Sequence, residues 1–136
     1  LQDKYFKIKY PKSLDREYFK KYLNKIKHLT IENAAHTLSM MTVHSIILGI
    51  KLLNENIDEI ILTGGGRKNL FIFNKLSKLS NTKIINIDDL GFNGDLLEAQ
   101  AFGFLAVRSI KNLPLSFKTT TGCIKNVSGG ITYDFN

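Results

Sequence analysis

The chain has 136 residues, of which 43% are hydrophobic, so it can bury one sizeable core and is too short for two ordinary domains. Its formal net charge of +7 permits binding to nucleic acid, but the lysines are scattered and lack the interleaved aromatic residues of a single-strand reader. We therefore expect a single α/β unit that does not bind nucleic acid, with a basic nucleic-acid-associated domain as a minor alternative.

The longest apolar stretch, 34–53, contains His36, His44 and Lys51, which predicts a buried helix and not a membrane span. No signal peptide is visible in the sequence. The single cysteine, Cys123, excludes an intrachain disulfide and suits a reducing compartment. These features predict a cytoplasmic protein.

The first part of the chain predicts two helices. Residues 1–12 are aromatic and basic without a clear period, and Pro11 stops a helix from running through them. Ser13 or Asp15 can cap a helix that runs to about residue 27. Thr30 can cap a longer second helix with apolar residues at three- and four-residue steps, and we expect this helix to be the buried spine.

The middle of the chain predicts a β-α-β unit. A strand over 59–63 leads into a glycine turn, a helix over about 69–79 follows, and a second strand covers 83–87. A connection of this length joins parallel strands by a right-handed crossover. The glycine turn is then expected at the carboxyl ends of the strands, where open α/β sheets bind ligands.

The last part of the chain predicts one more helix and a hairpin. The helix begins at Asp95 and ends near residue 112, before Pro114. The Thr- and Gly-rich segment from residue 118 ends in 127–133, which is typical of a short extended hairpin.

The glycine turn Gly64-Gly65-Gly66 is the most informative feature for function. Glycines let a ligand approach the backbone closely, and N–H groups at a helix start attract phosphate. The run is neither G-x-x-x-x-G-K-[ST] nor G-x-G-x-x-G, and a glycine turn after a strand is often only a tight connection. Taken alone, the motif supports nucleotide contact and a tight corner about equally.

Two carboxylates, Asp95 and Glu98, stand three residues apart at the predicted start of the last helix. This spacing puts both near one face and near the positive end of the helix dipole. The pattern alone favours capping, in which Asp95 accepts backbone N–H bonds and Glu98 completes the turn. Catalysis is the alternative, because this helix also opens beside the glycine turn at the ligand edge of the sheet.

Other polar residues give weaker indications. The three histidines lack the four-residue spacing of a helical metal pair, so no metal site is predicted. Cys123 has no base nearby in the sequence to activate it as a nucleophile. Lys12 and Arg16 are candidates for phosphate contact, although a solvated helix face is more common for such residues.

Several separated segments resemble the anhydro-N-acetylmuramic acid kinases, a family of the actin-like, sugar-kinase ATPase superfamily. The resemblance lies in YPKSLDRE at 10–17, TGGGRKN at 63–69, GFNGDLLEAQAF at 91–102, NLP at 112–114 and TGC at 121–123. These segments occur in order and cover nearly the whole chain. The chain departs from the family at Leu14-Asp15, where Thr-Gly is typical, and at Leu96, where an alanine or an aromatic residue is usual.

The resemblance implies an α/β fold of the RNase H-like, actin-like ATPase type, in which a central sheet is flanked by helices in three layers. Such kinases have two lobes with ATP in the cleft between them, and residues 1–136 resemble the second, C-terminal lobe as a single domain. The first lobe, with its phosphate-binding turn and general-base aspartate, is missing, and the chain begins at Leu1 and not at a methionine. We therefore expect a fragment, a split-gene product or a decayed remnant that is inactive without a first lobe.

The resemblance also implies an activity and a site. Water opens the ring of 1,6-anhydro-N-acetylmuramic acid while O6 takes the γ-phosphate of ATP, a step of peptidoglycan recycling. Gly64, Gly65, Gly66 and Asn69 are implied to lie along the nucleotide, and Glu98 to orient the attacking water. Magnesium is implied to be held mainly by the missing lobe. The implied partners are the anhydro amino sugar and the missing lobe, which a separate chain could carry. A homodimer is a further alternative. The alternative is a non-catalytic nucleotide- or sugar-binding remnant.

Overall fold

The computed structural model describes residues 2–15 and 17–134 and has a mixed α/β arrangement with a small parallel sheet. Within these residues the strands are β1 (Glu59–Leu62) and β2 (Lys83–Asn86). The helices are α1 (Ile31–Leu53), α2 (Leu70–Leu79), α3 (Leu97–Ile110) and α4 (Lys118–Thr121). Short 3-10 helices lie at Lys4–Lys7, Lys20–Lys25, Gly65–Lys68 and Ile87–Leu90. The predicted α/β class is confirmed.

The predicted β-α-β unit is present. β1 and β2 pair in parallel, with Glu59 opposite Lys83 at one end and Leu62 opposite Asn86 at the other. α2 connects the strands and buries Leu76 completely. The described residues contain this two-stranded sheet alone, so the three-layer RNase H-like arrangement stays a prediction.

α1 begins as predicted but is not the buried spine. Oγ1 of Thr30 accepts a hydrogen bond from the Asn33 N–H at 3.3 Å, which caps the helix. Within the described chain, however, Val43 is the one fully buried residue of α1, whereas Ile31 is 85% exposed. The reason is that α1 packs on α2 and the N-terminal turn, and this small unit offers no surface to cover its other faces.

α1 has 23 residues and contains an 18-residue window with a mean hydropathy of 1.3, so by length and composition it also passes the test for a membrane span. A core helix of a soluble protein passes the same test. α1 already packs against α2 and carries His36, His44 and Lys51 along its length. We therefore interpret it as a helix that packs against protein.

The α-helix predicted over residues 13–27 does not form among the described residues 13–15 and 17–27. The segment instead has turns and the 3-10 helix Lys20–Lys25, whose hydrogen bonds join residues three apart. Its aromatic rings pack on Tyr5 and Phe6 near the N-terminus. These contacts, together with hydrogen bonds to Asp3, outweigh the local helical preference.

The C-terminal hairpin is also absent from the part of the chain that the structure describes. Residues 118–121 form the short helix α4, which Gly122 ends with a φ of 75°. One isolated antiparallel bridge joins Ser116 to Val127, and residues 128–134 form no strand. The predicted hairpin is wrong because too few backbone hydrogen bonds form between the two sides of this segment.

The core is small for a chain of this length. Phe6, Val43 and Leu76 are the buried apolar residues among those described. Large apolar side chains on α3 remain exposed, including Phe102 at 65%, Phe104 at 62% and Ile110 at 68%. Exposed apolar surface on this scale marks sites where other protein packs.

Candidate functional site

The glycine turn follows β1 and leads into α2. Gly64 has φ 68° and ψ −173°, a backbone conformation that side chains disfavour, and the 3-10 turn Gly65–Lys68 follows it. A Cβ atom added at Gly64, Gly65 or Gly66 would meet nothing within 4 Å. The first N–H groups of such a turn have no acceptor within it. The turn therefore presents bare backbone to an open space.

Asn69 has a structural role at the junction of the turn with α2. Its Oδ1 accepts a hydrogen bond from the Ile72 N–H at 3.2 Å, and this bond caps α2. Its own N–H donates to the carbonyl of Gly66 at 3.1 Å. The cap uses Oδ1 and so orients the side-chain amide at the start of the helix.

Arg67 occupies the centre of the site and is only 4% exposed. Its Nε donates to Oδ2 of Asp88 at 2.8 Å. Its Nη1 donates both to Oδ1 of Asp95 at 2.8 Å and to the carbonyl of Gly64 at 2.9 Å. One guanidinium thus joins the glycine turn, the segment after β2 and the residues before α3.

The charges of this cluster are balanced. Lys68 donates from Nζ to Oδ2 of Asp95 at 2.7 Å, so two cations face two carboxylates. The hydrogen bonds from Arg67 and then Lys68 hold the pKa of Asp95 well below its usual range. Arg67 and the Gly94 N–H likewise lower the pKa of Asp88, while Asp95 and Asp88 raise the pKa of Arg67. Asp88, Asp95 and Arg67 are therefore charged at neutral pH.

The capping interpretation of Asp95 is wrong. α3 begins at Leu97, and its N-cap, Leu96, makes no side-chain capping bond. The Asp95 carboxylate binds Arg67 and Lys68 instead, because hydrogen bonds between charged groups are stronger than those to a backbone N–H.

Glu98 does not cap α3 either. It lies in the first turn of the helix and is exposed. Its carboxylate has no hydrogen bond or ion pair with any residue that the structure describes. It is therefore free to bind a ligand at the start of α3.

The other candidate residues lie apart from this cluster. Lys12 donates from Nζ to the carbonyl of Tyr5 at 3.1 Å and lies 4.3 Å from the centroid of its ring. Arg16 lies outside the described residues. Cys123 is a half-buried free thiol.

Sequence reasoning missed the role of Arg67. The available signal was an arginine directly after the glycine turn, with aspartates following β2 and preceding the next helix. Parallel strands bring those positions to one edge of the sheet. The pairing of Arg67 with Asp88 and Asp95 depends on how far each side chain extends in the folded protein, which the spacing of residues in the sequence does not show.

Comparison with known proteins agrees with the motifs. A family model described as anhydro-N-acetylmuramic acid kinase matches residues 1–134. The anhydro-N-acetylmuramic acid kinase of Methylorubrum populi is 40% identical over 121 residues, which are 89% of this chain and 32% of the relative. Those of Brucella canis and Jannaschia sp. are 36% and 35% identical, each over 96% of this chain and 35% of the relative. The chain thus spans about a third of the length of these relatives.

Proposed function

Because this chain belongs to the anhydro-N-acetylmuramic acid kinase family, we propose that it is the C-terminal, RNase H-like lobe of such a kinase. The proposed reaction opens the anhydro ring of 1,6-anhydro-N-acetylmuramic acid with water and phosphorylates O6. Its proposed setting is cytoplasmic peptidoglycan recycling. The relatives are about three times longer, so the proposal includes a first lobe that completes the site.

One observation carries the proposal. Arg67 joins the carbonyl of Gly64 to the carboxylate of Asp95, so the glycine turn and the start of α3 are neighbours. A free carboxylate, Glu98, follows Asp95 in the first turn of α3. An open backbone surface and an unpaired acid side by side are what a phosphotransferase that uses water requires.

The glycine turn fits a nucleotide. ATP supplies the phosphoryl group that the sugar receives. Gly64, Gly65 and Gly66 leave room for it, since a Cβ at any of them would contact nothing within 4 Å. Backbone N–H groups at the turn suit phosphate oxygens or the polar edges of a nucleoside, and Asn69 holds the end of the turn against α2.

Glu98 is proposed to hold the attacking water. A carboxylate oxygen that accepts a hydrogen bond from water restricts the orientation of that water toward the anomeric carbon. Asp88 and Asp95 are unsuited to this role, because their oxygens already accept bonds from Arg67, Lys68 and the Gly94 N–H.

The described residues do not fit a magnesium site of their own. No group of three or more His, Cys, Asp and Glu side chains gathers among them. The carboxylates nearest the glycine turn are neutralised by Arg67 and Lys68. No step of the proposed mechanism therefore uses a metal bound by this chain.

Reconstitution with a first lobe tests the proposal. The 136-residue chain is mixed with the purified N-terminal lobe of a homologous kinase, and release of ADP that depends on the anhydro sugar is measured. We expect turnover in the mixture and none with either part alone. Nucleotide or sugar binding by calorimetry without any turnover in the mixture would favour the alternative, a non-catalytic binding remnant.

A further inference from the structure

Arg67 is the one buried charged residue among the residues that the structure describes. Burial of an arginine is tolerated when its donors are satisfied, and here three acceptors lie within 2.9 Å of its Nε and Nη1. The acceptors come from three separate segments: the glycine turn, the 3-10 helix Ile87–Leu90 that follows β2, and the residues before α3. A side chain in this position controls the spacing of those segments.

Gly94 makes the close packing around Arg67 possible. A Cβ on Gly94 would clash with Nε of Arg67 and would lie 2.7 Å from its Cζ and from Cγ2 of Ile87. The Gly94 N–H donates to Oδ1 of Asp88 at 2.9 Å, while Oδ2 of the same carboxylate accepts from Arg67. The loop before α3 is therefore packed directly on the guanidinium and held there through Asp88.

The donors at Nε and Nη1 of Arg67 are used by the protein itself. Its Nε and Nη1 bind protein oxygens, and its side chain is only 3% exposed. A phosphate ligand would need an accessible cation, and in this cluster Lys68 is the exposed one, at 60%. Position and burial thus favour an internal role for Arg67 over direct contact with a nucleotide.

We propose that Arg67 is a positioning residue that fixes the glycine turn relative to the start of α3 before any ligand binds. The kinetic consequence of this inference rests on the proposed function. In that function, Arg67 sets the distance between Glu98 and the glycine turn at which the nucleotide binds. The planar fork of a guanidinium bonds two carboxylates and a carbonyl at fixed angles, which a lysine ammonium does not reproduce.

Arg67→Lys tests the proposal because it keeps the positive charge and removes the planar guanidinium with its several N–H donors. Lys83→Gln is the matched control, since it deletes an ion pair of 2.7 Å to Glu59 at the opposite end of the same strands. Amide hydrogen exchange is measured in the 136-residue chain for each variant. We expect faster exchange at the amides of Asn69, Gly94 and Asp95 together in Arg67→Lys, with β1, β2 and α2 still protected, and no such change in Lys83→Gln.

The kinetic part uses the two-lobe mixture. A displacement of about 1 Å in a catalytic group can reduce turnover about 10²-fold, so Arg67→Lys should lower kcat to that extent and leave the KM for ATP nearly unchanged. A large rise in KM with kcat preserved would assign Arg67 to nucleotide contact and overturn the proposal. Loss of protection throughout the chain would make it a folding residue and also overturn it.

The two measurements separate this inference from the proposed function. If the unsubstituted mixture shows no turnover, the proposed function fails, and hydrogen exchange alone decides whether Arg67 joins the two segments. Unchanged exchange at Gly94 and Asp95 in Arg67→Lys would refute the positioning role even in an active enzyme.

Discussion

Asp95 places Oδ1 2.8 Å from Nη1 of Arg67, 28 residues earlier in the chain, and does not cap the helix that follows it. Glu98, in the first turn of the same helix, has no partner among the described residues. The two carboxylates therefore differ in function: Asp95 is bound within the protein, whereas Glu98 is available to a ligand.

The Glu98→Gln substitution should reduce turnover of the two-lobe enzyme by roughly 10²-fold or more, because a neutral amide does not reproduce the charge-assisted hydrogen bonds by which a carboxylate orients water. Nucleotide affinity should be unchanged, since the substitution keeps the size of the side chain and Glu98 is proposed to bind the water and not the nucleotide. Steady-state ADP release and calorimetric ATP binding measure the two quantities.

Glu55→Gln is the control for this prediction. Glu55 is exposed in the loop after α1 and remote from the site in the sequence, so we expect turnover within about twofold of the unsubstituted enzyme. Equal and small effects of Glu98→Gln and Glu55→Gln would show that Glu98 is an ordinary surface residue.

The Gly65→Val substitution should abolish nucleotide binding in the two-lobe enzyme and leave folding nearly intact. Gly65 does not have a positive φ, and its Cβ would contact nothing in the protein, so the bulk of valine projects into the space proposed for the nucleotide. Circular dichroism reports folding and calorimetry reports ATP affinity.

Two other glycines serve as controls for Gly65→Val. Gly49 lies within α1, also with open space around its Cβ position, and Gly49→Val should leave ATP affinity unchanged. Gly64→Val should lower thermal stability, because φ at Gly64 is 68°. If Gly65→Val folds and binds ATP normally, the turn is only a tight connection.

Local patterns in the sequence were sufficient for the elements around the site. The β-α-β unit, the cap at Thr30 and the position of the glycine turn depend on residues close together in the chain, and all are confirmed. Hydrophobic period and turn chemistry act at this range.

Features that depend on distant residues were not predictable in this way. The helix expected over 13–27 is replaced by turns because Asp3 and the rings near it hold the segment. The apolar face of α1 was interpreted as core, but sequence pattern reports that a face is apolar and not what covers it. The pairing of Asp95 with Arg67 likewise arises only when the strands bring both to one edge.

The chain alone should show no phosphorylation of anhydro-N-acetylmuramic acid. Phosphoryl transfer needs groups on both sides of the nucleotide to position the phosphate and the attacking oxygen. Turnover is measured by ADP release with the purified 136-residue chain over a range of protein concentrations. A rate above background that rises linearly with the chain and needs the sugar would contradict the two-lobe proposal.

A second charged cluster, centred on Asp3, organises the N-terminal segment. Its carboxylate accepts hydrogen bonds from the hydroxyls of Tyr22 and Tyr18, the latter at 2.7 Å, and pairs with Lys21 at 2.9 Å. The bond from Tyr22, followed by those from the Tyr5 N–H, Lys21 and Tyr18, holds the pKa of Asp3 well below its usual range. The hydrogen bonds to Asp3 in turn raise the pKa of Tyr18 and of Tyr22.

Asp3→Asn should therefore lower the thermal unfolding temperature by an amount that depends on pH. A lowered Asp3 pKa contributes stability above its unfolded value of about 3.9, and this stability is lost as pH falls toward the folded pKa. The raised tyrosine pKa values contribute below about 10, and their contribution is lost as pH rises through the folded values. The difference in melting temperature between Asp3→Asn and the unsubstituted chain should thus be largest between about pH 4 and 10 and shrink on both sides.

Ultraviolet titration should also show two of the five tyrosines ionising at lower pH in the variant. Asp58→Asn, which alters an exposed loop carboxylate, should change neither measurement. A pH-independent difference, or tyrosine ionisation that is unchanged by Asp3→Asn, would mean that the cluster is held by ring packing and not by its charge.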